Sequence, residues 1–304
     1  MESPPKRIVT RPDFDGIVCA VLLRDAEHIV SDVYWVEPNE IQTGKADIRP
    51  GDIIANLPFS SECTLWFDHH ISNKPKNEFR GAFDVAPSAA RVIYRYYQEK
   101  GIMDDRYDEL LFHTDVIDAA QLSLDQVRFP EKYPYILLSM TIKNNDYADI
   151  DYWNLLVDLL KDTSAEQLMD HPRVHPRCRE VIKENAEWAT HLKAHTRIEN
   201  GISITDFRSL ETVPAGNRFL SYSMFPESIA SVKIRFDSPA CRNVQVSVGR
   251  SIFNRKCNVN IGKLLSGFGG GGHAGAGGCT LPAESAEENL RKILKVMVDN
   301  QPVD

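Results

Sequence analysis

Short apolar runs separated by helix-length patterns organise the first half of the chain. "KRIVT", "SDVYWVEP", "GDIIANLP" and "TLWFDHH" are apolar stretches of strand length, and "GIVCAVLLRDAE" carries helical spacing. This alternation predicts strands joined by crossover helices in a mostly parallel sheet. From Ser88 to Lys161 the pattern turns mainly helical, with Ser88 as the cap of "SAARVIYRYYQEKG" and Gly101 as its stop. These helices are expected to cover the sheet. Two prolines interrupt the chain in "HPRVHPRC", and a polar helical pattern, "REVIKENAEWATHLKAHTRIENG", then runs to Gly201. Beyond it "GISITDF", "ASVKIRF" and "NVQVSVG" alternate as strands, with helices expected only in "NIGKLLSGFG" and "AESAEENLRKILKVMVDN". The expected architecture is therefore α/β in two domains. Residues 1–185 form a mostly parallel sheet flanked by helices, 186–200 a linker helix, and 201–304 a smaller α/β domain.

Charge and cysteine usage narrow the function classes. A formal charge of -8 argues against nonspecific binding of long duplex nucleic acid, which needs an extended basic surface. A small anion held by a local cation cluster stays compatible with it. The cysteines at 19, 63, 178, 241, 257 and 279 are scattered with no CxxC pair, and read as reduced, mostly buried thiols. No apolar run approaches the ~18 residues of a membrane span, and "MESPPKRIVT" lacks the apolar middle of a secretory leader. A soluble, cytoplasmic protein with no membrane partner is expected.

Four features carry candidate chemistry. In "VTRPDFDGIV" a strand ends, Asp13 and Asp15 follow, and Gly16 opens an apolar helix. Two carboxylates on a tight loop suit a hard divalent cation, and a lone motif of this kind is equally a helix cap in a Pro-Asp turn. At the end of "TLWFDHH", Asp68, His69 and His70 offer oxygen and nitrogen ligands that suit manganese, iron or zinc better than calcium. Two acidic strand ends in one α/β sheet can converge on one site, which scattered turns need not do. In "HTDVIDAA", Asp115 and Asp118 lie three apart, and Asp118 is preferred because its apolar context makes an unpaired carboxylate costly. Finally, "GFGGGGHAGAGG" holds His273 among glycines between a helix and a strand, a poor fit for a linker. Glycine backbones can approach an anion closely, and Arg250 upstream is suited to bidentate phosphate contact.

This ordered set, DxDG, Asp-His-His, a downstream acid and a carboxyl-terminal GGGH preceded by Arg-Ser, resembles the DHH/DHHA1 phosphoesterase superfamily, and does so over nearly the whole chain. The resemblance implies an amino-terminal DHH domain with a two-metal site, usually manganese, and a DHHA1 domain that binds substrate across a cleft. It implies that Asp15, His69 and Asp118 ligate one metal and that Asp13 serves the other. His70 would face the substrate phosphate and Asp68 would orient the histidines; Arg250, Gly270, Gly271, Gly272 and His273 would hold the substrate, with His70 and Arg250 stabilising the charge that develops in catalysis. It further implies homodimerisation.

Two positions depart from the family pattern. Thr10 and Val9 stand where a metal-binding histidine is usual, and Asn56 is the best match to a bridging aspartate. An amide carbonyl can ligate but brings no negative charge, so the Asp13 side of the site is expected to be weakened and the protein to hold one or two divalent ions, with Mn2+ favoured. Arg11, beside Asp13, is either an ordinary surface pair or a fixed positive charge where that ion would stand. The expected function is metal-dependent hydrolysis of a small phosphate-bearing substrate, such as a short oligonucleotide, pAp or a linear dinucleotide. The alternatives are a degenerate nucleotide or phosphate sensor and an exopolyphosphatase. His191 and His195 read as a solvated helix face, His113 as structural, and Tyr94 and Tyr97 as core.

Overall fold

The computed structural model describes residues 5–143, 147–213 and 216–302. Residues 1–4 of the amino-terminal stretch and 144–146 of the expected helical region lie outside the described residues. The chain divides into two compact units.

The first unit comprises residues 1–122 and 130–179. Its sheet contains β1 (Arg7–Thr10), β2 (Tyr34–Trp35), β3 (Asp52–Ala55), β4 (Leu65–Asp68) and β5 (Gly81–Phe83) in the order β2-β1-β3-β4-β5. Every pairing is parallel. The short β5 is marked by no apolar run; it is recruited by its pairing with β4, and Phe83 stacks on Trp66 at 5.9 Å between ring centroids.

Helix α1 (Phe14–Glu27) is buried continuously from Phe14 to Leu23, as expected for a helix that is apolar all round. It packs on β1 and is enclosed by α3 (Ala89–Gln98), α4 (Asp108–Asp118) and α7 (Ile150–Leu160). The other face of the sheet buries Val9, Val36, Ile54, Leu57 and Trp66. Short helices α2 (Pro38–Gln42), α6 (Pro134–Met140) and α8 (Ala165–Leu168) complete this unit. Ser88 caps α3 by accepting a hydrogen bond from the Arg91 N–H, and Tyr94 and Tyr97 are core residues.

The second unit comprises residues 180–304 and takes in Ser123–Phe129 as well. That segment contains α5 (Leu124–Arg128), whose Val127 carbonyl accepts from Asn217 and whose Arg128 donates to the Ser223 carbonyl in α10 (Leu220–Met224). Helix α9 (His175–His195) runs through the division between the units.

The helical pattern expected to reach Gly201 stops at His195. Thr196–Glu199 instead forms β6, antiparallel to β7 (Ile202–Asp206). The reason is the Asn200-Gly201 pair, which takes φ of 48° and 79° and so forms the left-handed turn that suits a tight hairpin. β8 (Ala230–Phe236), β9 (Asn243–Arg250), β10 (Gly271–Gly272) and β11 (Ala276–Pro282) complete a six-stranded sheet, β10-β11-β9-β8-β7-β6. It is antiparallel except where β7 meets β8. Its core includes Ile204, Val232, Val246, Leu265, Leu290 and Ile293, under α11 (Ile261–Ser266) and α12 (Ala283–Asp299).

Candidate metal centre

The carboxyl ends of the three central parallel strands carry Thr10, Asn56 and Asp68, the position where open α/β sheets place ligands. Strand β4 ends on Asp68 because Trp66 and Phe67 are fully buried on either side of the sheet, so the first polar residue falls at the strand end while still enclosed. Asp68 is itself 0% exposed.

Its carboxylate is fully occupied. Oδ1 accepts from the His69 N–H (2.7 Å), the His70 N–H (3.1 Å) and His70 Nδ1 (2.8 Å), and Oδ2 accepts from Asn73 Nδ2 (2.7 Å). Asp68 therefore shapes the two-histidine turn rather than offering a free oxygen to a metal. The hydrogen bond to Asp68 raises the His70 pKa, and His70 presents Nε2 as the open end of its ring.

His69 is oriented the other way. Its Nδ1 donates to the Ala86 carbonyl at 2.9 Å, which only accepts, so Nε2 carries the lone pair. That atom is buried and without a hydrogen-bond partner, 3.4 Å from Asp118 Oδ2 and 4.0 Å from Asp15 Oδ2.

Asp15 comes from the first turn of α1 and sits at the amino terminus of α3. Its Oδ2 accepts from Ala89 N and its Oδ1 from Ala90 N, each at 2.9 Å, so an otherwise costly buried acid is held by backbone amides. Burial, then Asp118 and Asp13, nonetheless push its pKa well above the ordinary carboxylate range. Burial and Asp13 push Asp118 up to about 6.

One imidazole with its lone pair free and two carboxylates driven toward protonation fit a divalent cation. One donor atom from each of Asp15, His69 and Asp118 falls within 4.8 Å of the others. Asp115 is placed elsewhere, bonded to Ser88 Oγ and Arg91.

Asp13 is the cap of α1: its Oδ1 accepts from Gly16 N at 2.8 Å and from Asn56 Nδ2 at 3.1 Å, and its Oδ2 lies 2.9 Å from Arg11 Nε. A Cβ at position 16 would stand 2.0 Å from the Arg11 carbonyl oxygen, so the close return of this loop onto the helix needs glycine.

In the second unit Arg250 spends its guanidinium on backbone: Nε and Nη2 donate to the Val259 carbonyl at 2.9 and 2.7 Å, and Nη2 also reaches the Asn258 carbonyl. Its N–H donates to the Gly275 carbonyl. The glycine cluster is a close-packed hairpin: Gly271 and Gly272 pair with Gly278 and Gly277, and Gly272 has φ 144° with room for no Cβ, which would lie 2.3 Å from the Ala276 oxygen. The carbonyls of Ala274 and His273 accept the Ile261 and Gly262 N–H groups, and so cap α11. The expectation of free amides around an anion is modified accordingly: these amides are largely committed, and the exposed His273 side chain stands at the hairpin tip.

Residue types gave no signal for the Ala86 carbonyl, the Ala89 and Ala90 amides or Asn73. The alanines act through backbone, which any residue supplies, and Asn73 lies in an ordinary polar turn.

A parallel sheet with an imidazole at a central strand end, faced by the buried Asp15 and the partly buried Asp118 from flanking helices, has the arrangement of a candidate metal centre in an α/β hydrolase. No family model and no curated protein sequence matches the chain. Among solved structures it is similar to the pGpG-specific phosphodiesterase PggH from Vibrio cholerae, at 30% identity and a TM-score of 0.86, over 97% of this chain and 100% of that one. It also shares the fold of a DHH domain from a protein described as a member of a family of ribosomal proteins (13% identity, TM-score 0.59, 97% of this chain and 87% of that one). RecJ from Thermus thermophilus in complex with Mn2+ is likewise similar in fold (13% identity, TM-score 0.56, 98% of this chain and 53% of that one). The chain belongs to the DHH/DHHA1 phosphoesterase superfamily. It is a phosphoester hydrolase.

Proposed function

We propose that the protein cleaves a linear dinucleotide of the pGpG kind, using a divalent cation, Mn2+ in preference, held by Asp15, His69 and Asp118. The observation that carries this reading is the buried, unpartnered His69 Nε2 facing two carboxylates, in a chain similar end to end to a pGpG-specific phosphodiesterase. The charge of -8 supports a short substrate over a long polyanion.

A cation at this place supplies Lewis-acid polarisation of the phosphoryl group and activation of water. The remaining work falls to side chains. His70, whose protonated form the hydrogen bond to Asp68 favours, donates from Nε2 to a phosphoryl oxygen as negative charge grows there. Asp68 positions that ring and stabilises its imidazolium, while the Ala86 carbonyl fixes the His69 ring so that Nε2 faces Asp15 and Asp118. In the second unit, Gly270, Gly271 and Gly272 give the hairpin its close-packed shape, and His273 is exposed at its tip as a candidate nucleotide-binding side chain. Arg250 holds the loop carrying Val259 and leaves Nη1 for a terminal phosphate.

Six cysteines, none in a disulfide, support a reducing, cytoplasmic setting. Among the described residues no helix is long and apolar enough to cross a membrane. The test is conversion of pGpG to GMP by metal-stripped protein with and without Mn2+. Cation-dependent release supports the proposal, and cation-independent release refutes it.

A further inference from the structure

The three acids Asp13, Asp15 and Asp118 act on one another, yet only two of them turn toward His69. Asp13 Oδ1 is taken by Gly16 N and Asn56 Nδ2, and its Oδ2 faces the Arg11 guanidinium. Asn56, at φ 56° and 2% exposed, spends its amide nitrogen on Asp13 and contributes no charge. Thr10, fully buried at the end of β1, contributes none either; its Oγ1 and the Asn56 Oδ1 are buried without partners, so they could bring oxygen to an ion but no negative charge. A second divalent ion beside Asp13 would displace these bonds and stand against a guanidinium, with Asn56 and Thr10 adding no charge to offset it. The resident residues do not fit it.

We infer that Arg11 is the built-in cation of this site and stands in the place of a second metal, so that the chain binds one divalent ion and Arg11 supplies the other positive charge to the substrate phosphate. Asp13 anchors Arg11 at 2.9 Å. Its side chain is 27% exposed, enough to meet a ligand while held on Asp13. A guanidinium cannot be removed by chelation or lost at neutral pH, so this half of the site is permanently loaded.

The inference rests on the assignment of one ion to Asp15, His69 and Asp118, and the experiment separates the two. Metal-stripped wild-type protein is titrated with Mn2+ alone by calorimetry, with bound manganese counted by elemental analysis. One ion per chain is expected. Two ions would overturn the role of Arg11 and leave the first ion's assignment standing; none would overturn both. Inorganic phosphate is then titrated into the manganese-loaded protein. Arg11→Ala, checked for its single bound manganese, is expected to bind phosphate roughly tenfold more weakly, and Arg11→Lys to recover part of the loss. Unchanged phosphate affinity in Arg11→Ala would overturn the inference. The wild-type manganese count needs no variant to fold.

Discussion

His69 gives its Nδ1 proton to the carbonyl of Ala86 at 2.9 Å, and that bond determines which ring nitrogen faces Asp15 and Asp118. The chemistry of the site follows from this orientation. A histidine protonated at Nε2 instead would present a proton to the two acids and repel a cation. His69→Ala is expected to lower Mn2+ affinity at least ~100-fold, in line with loss of one of three ligands, with the far-ultraviolet circular dichroism unchanged. Calorimetric titration with Mn2+ checks it.

Asp118 carries a stability cost in the metal-free protein. Its folded pKa of about 6 lies above the ordinary carboxylate value, so the folded chain holds a proton that the unfolded chain has released. The metal-free protein therefore loses stability as pH rises from about 4 through about 6, and the deficit persists at neutral pH. Asp118→Asn should raise metal-free stability at neutral pH by ~2 kcal/mol while removing the response to manganese. Urea unfolding with and without Mn2+, at about pH 5 and about pH 7, measures both.

Asp68 is expected to control the protonation of His70. Because the hydrogen bond to Asp68 raises that pKa, His70 stays cationic to higher pH, and activity that uses its proton falls as pH climbs through the raised value. Asp68→Asn should lower kcat by roughly 100-fold and move the basic limb of the pH-rate profile to lower pH. An unmoved limb would remove His70 from the proton-donating role.

Asp15 also has a structural duty. Its two oxygens satisfy the buried Ala89 and Ala90 amides at the start of α3, and Asp15→Ala leaves both without an acceptor. A loss of about 2–4 kcal/mol is expected from two orphaned donors, visible as a lower urea midpoint even without metal.

The glycine hairpin is expected to tolerate no side chain at Gly272, where φ is 144° and a Cβ would meet the Ala276 oxygen. Gly272→Ala should raise KM for pGpG while leaving Mn2+ affinity at the wild-type value, because the hairpin and the proposed ligands Asp15, His69 and Asp118 belong to separate units. Steady-state kinetics and a manganese titration on the same preparation decide it.

Much of the site was legible because its side chains sit at chemically abrupt points. Asp13, Asp15, Asp68 and His69 each interrupt an apolar run, where a polar residue needs a reason. Asp118 stood out against Asp115 by its apolar context, and the structure gives Asp115 to Ser88 and Arg91. What was not legible acts through backbone or through pairing at a distance. The Ala86 carbonyl and the amides of Ala89 and Ala90 leave no trace in residue type. β5 is three residues with a glycine and owes its existence to β4. β6 was hidden by a helical pattern that runs up to it, although Asn200-Gly201 is a hairpin signal that outweighs that pattern.

The most direct test of the account is hydrolysis of pGpG by metal-stripped wild-type protein and by His69→Ala, each assayed with and without added Mn2+. Release of GMP by the wild type alone, and only with manganese, is the predicted result. Equal release by His69→Ala, or release by either protein without a cation, would contradict the claim that His69, Asp15 and Asp118 form the metal centre of the reaction.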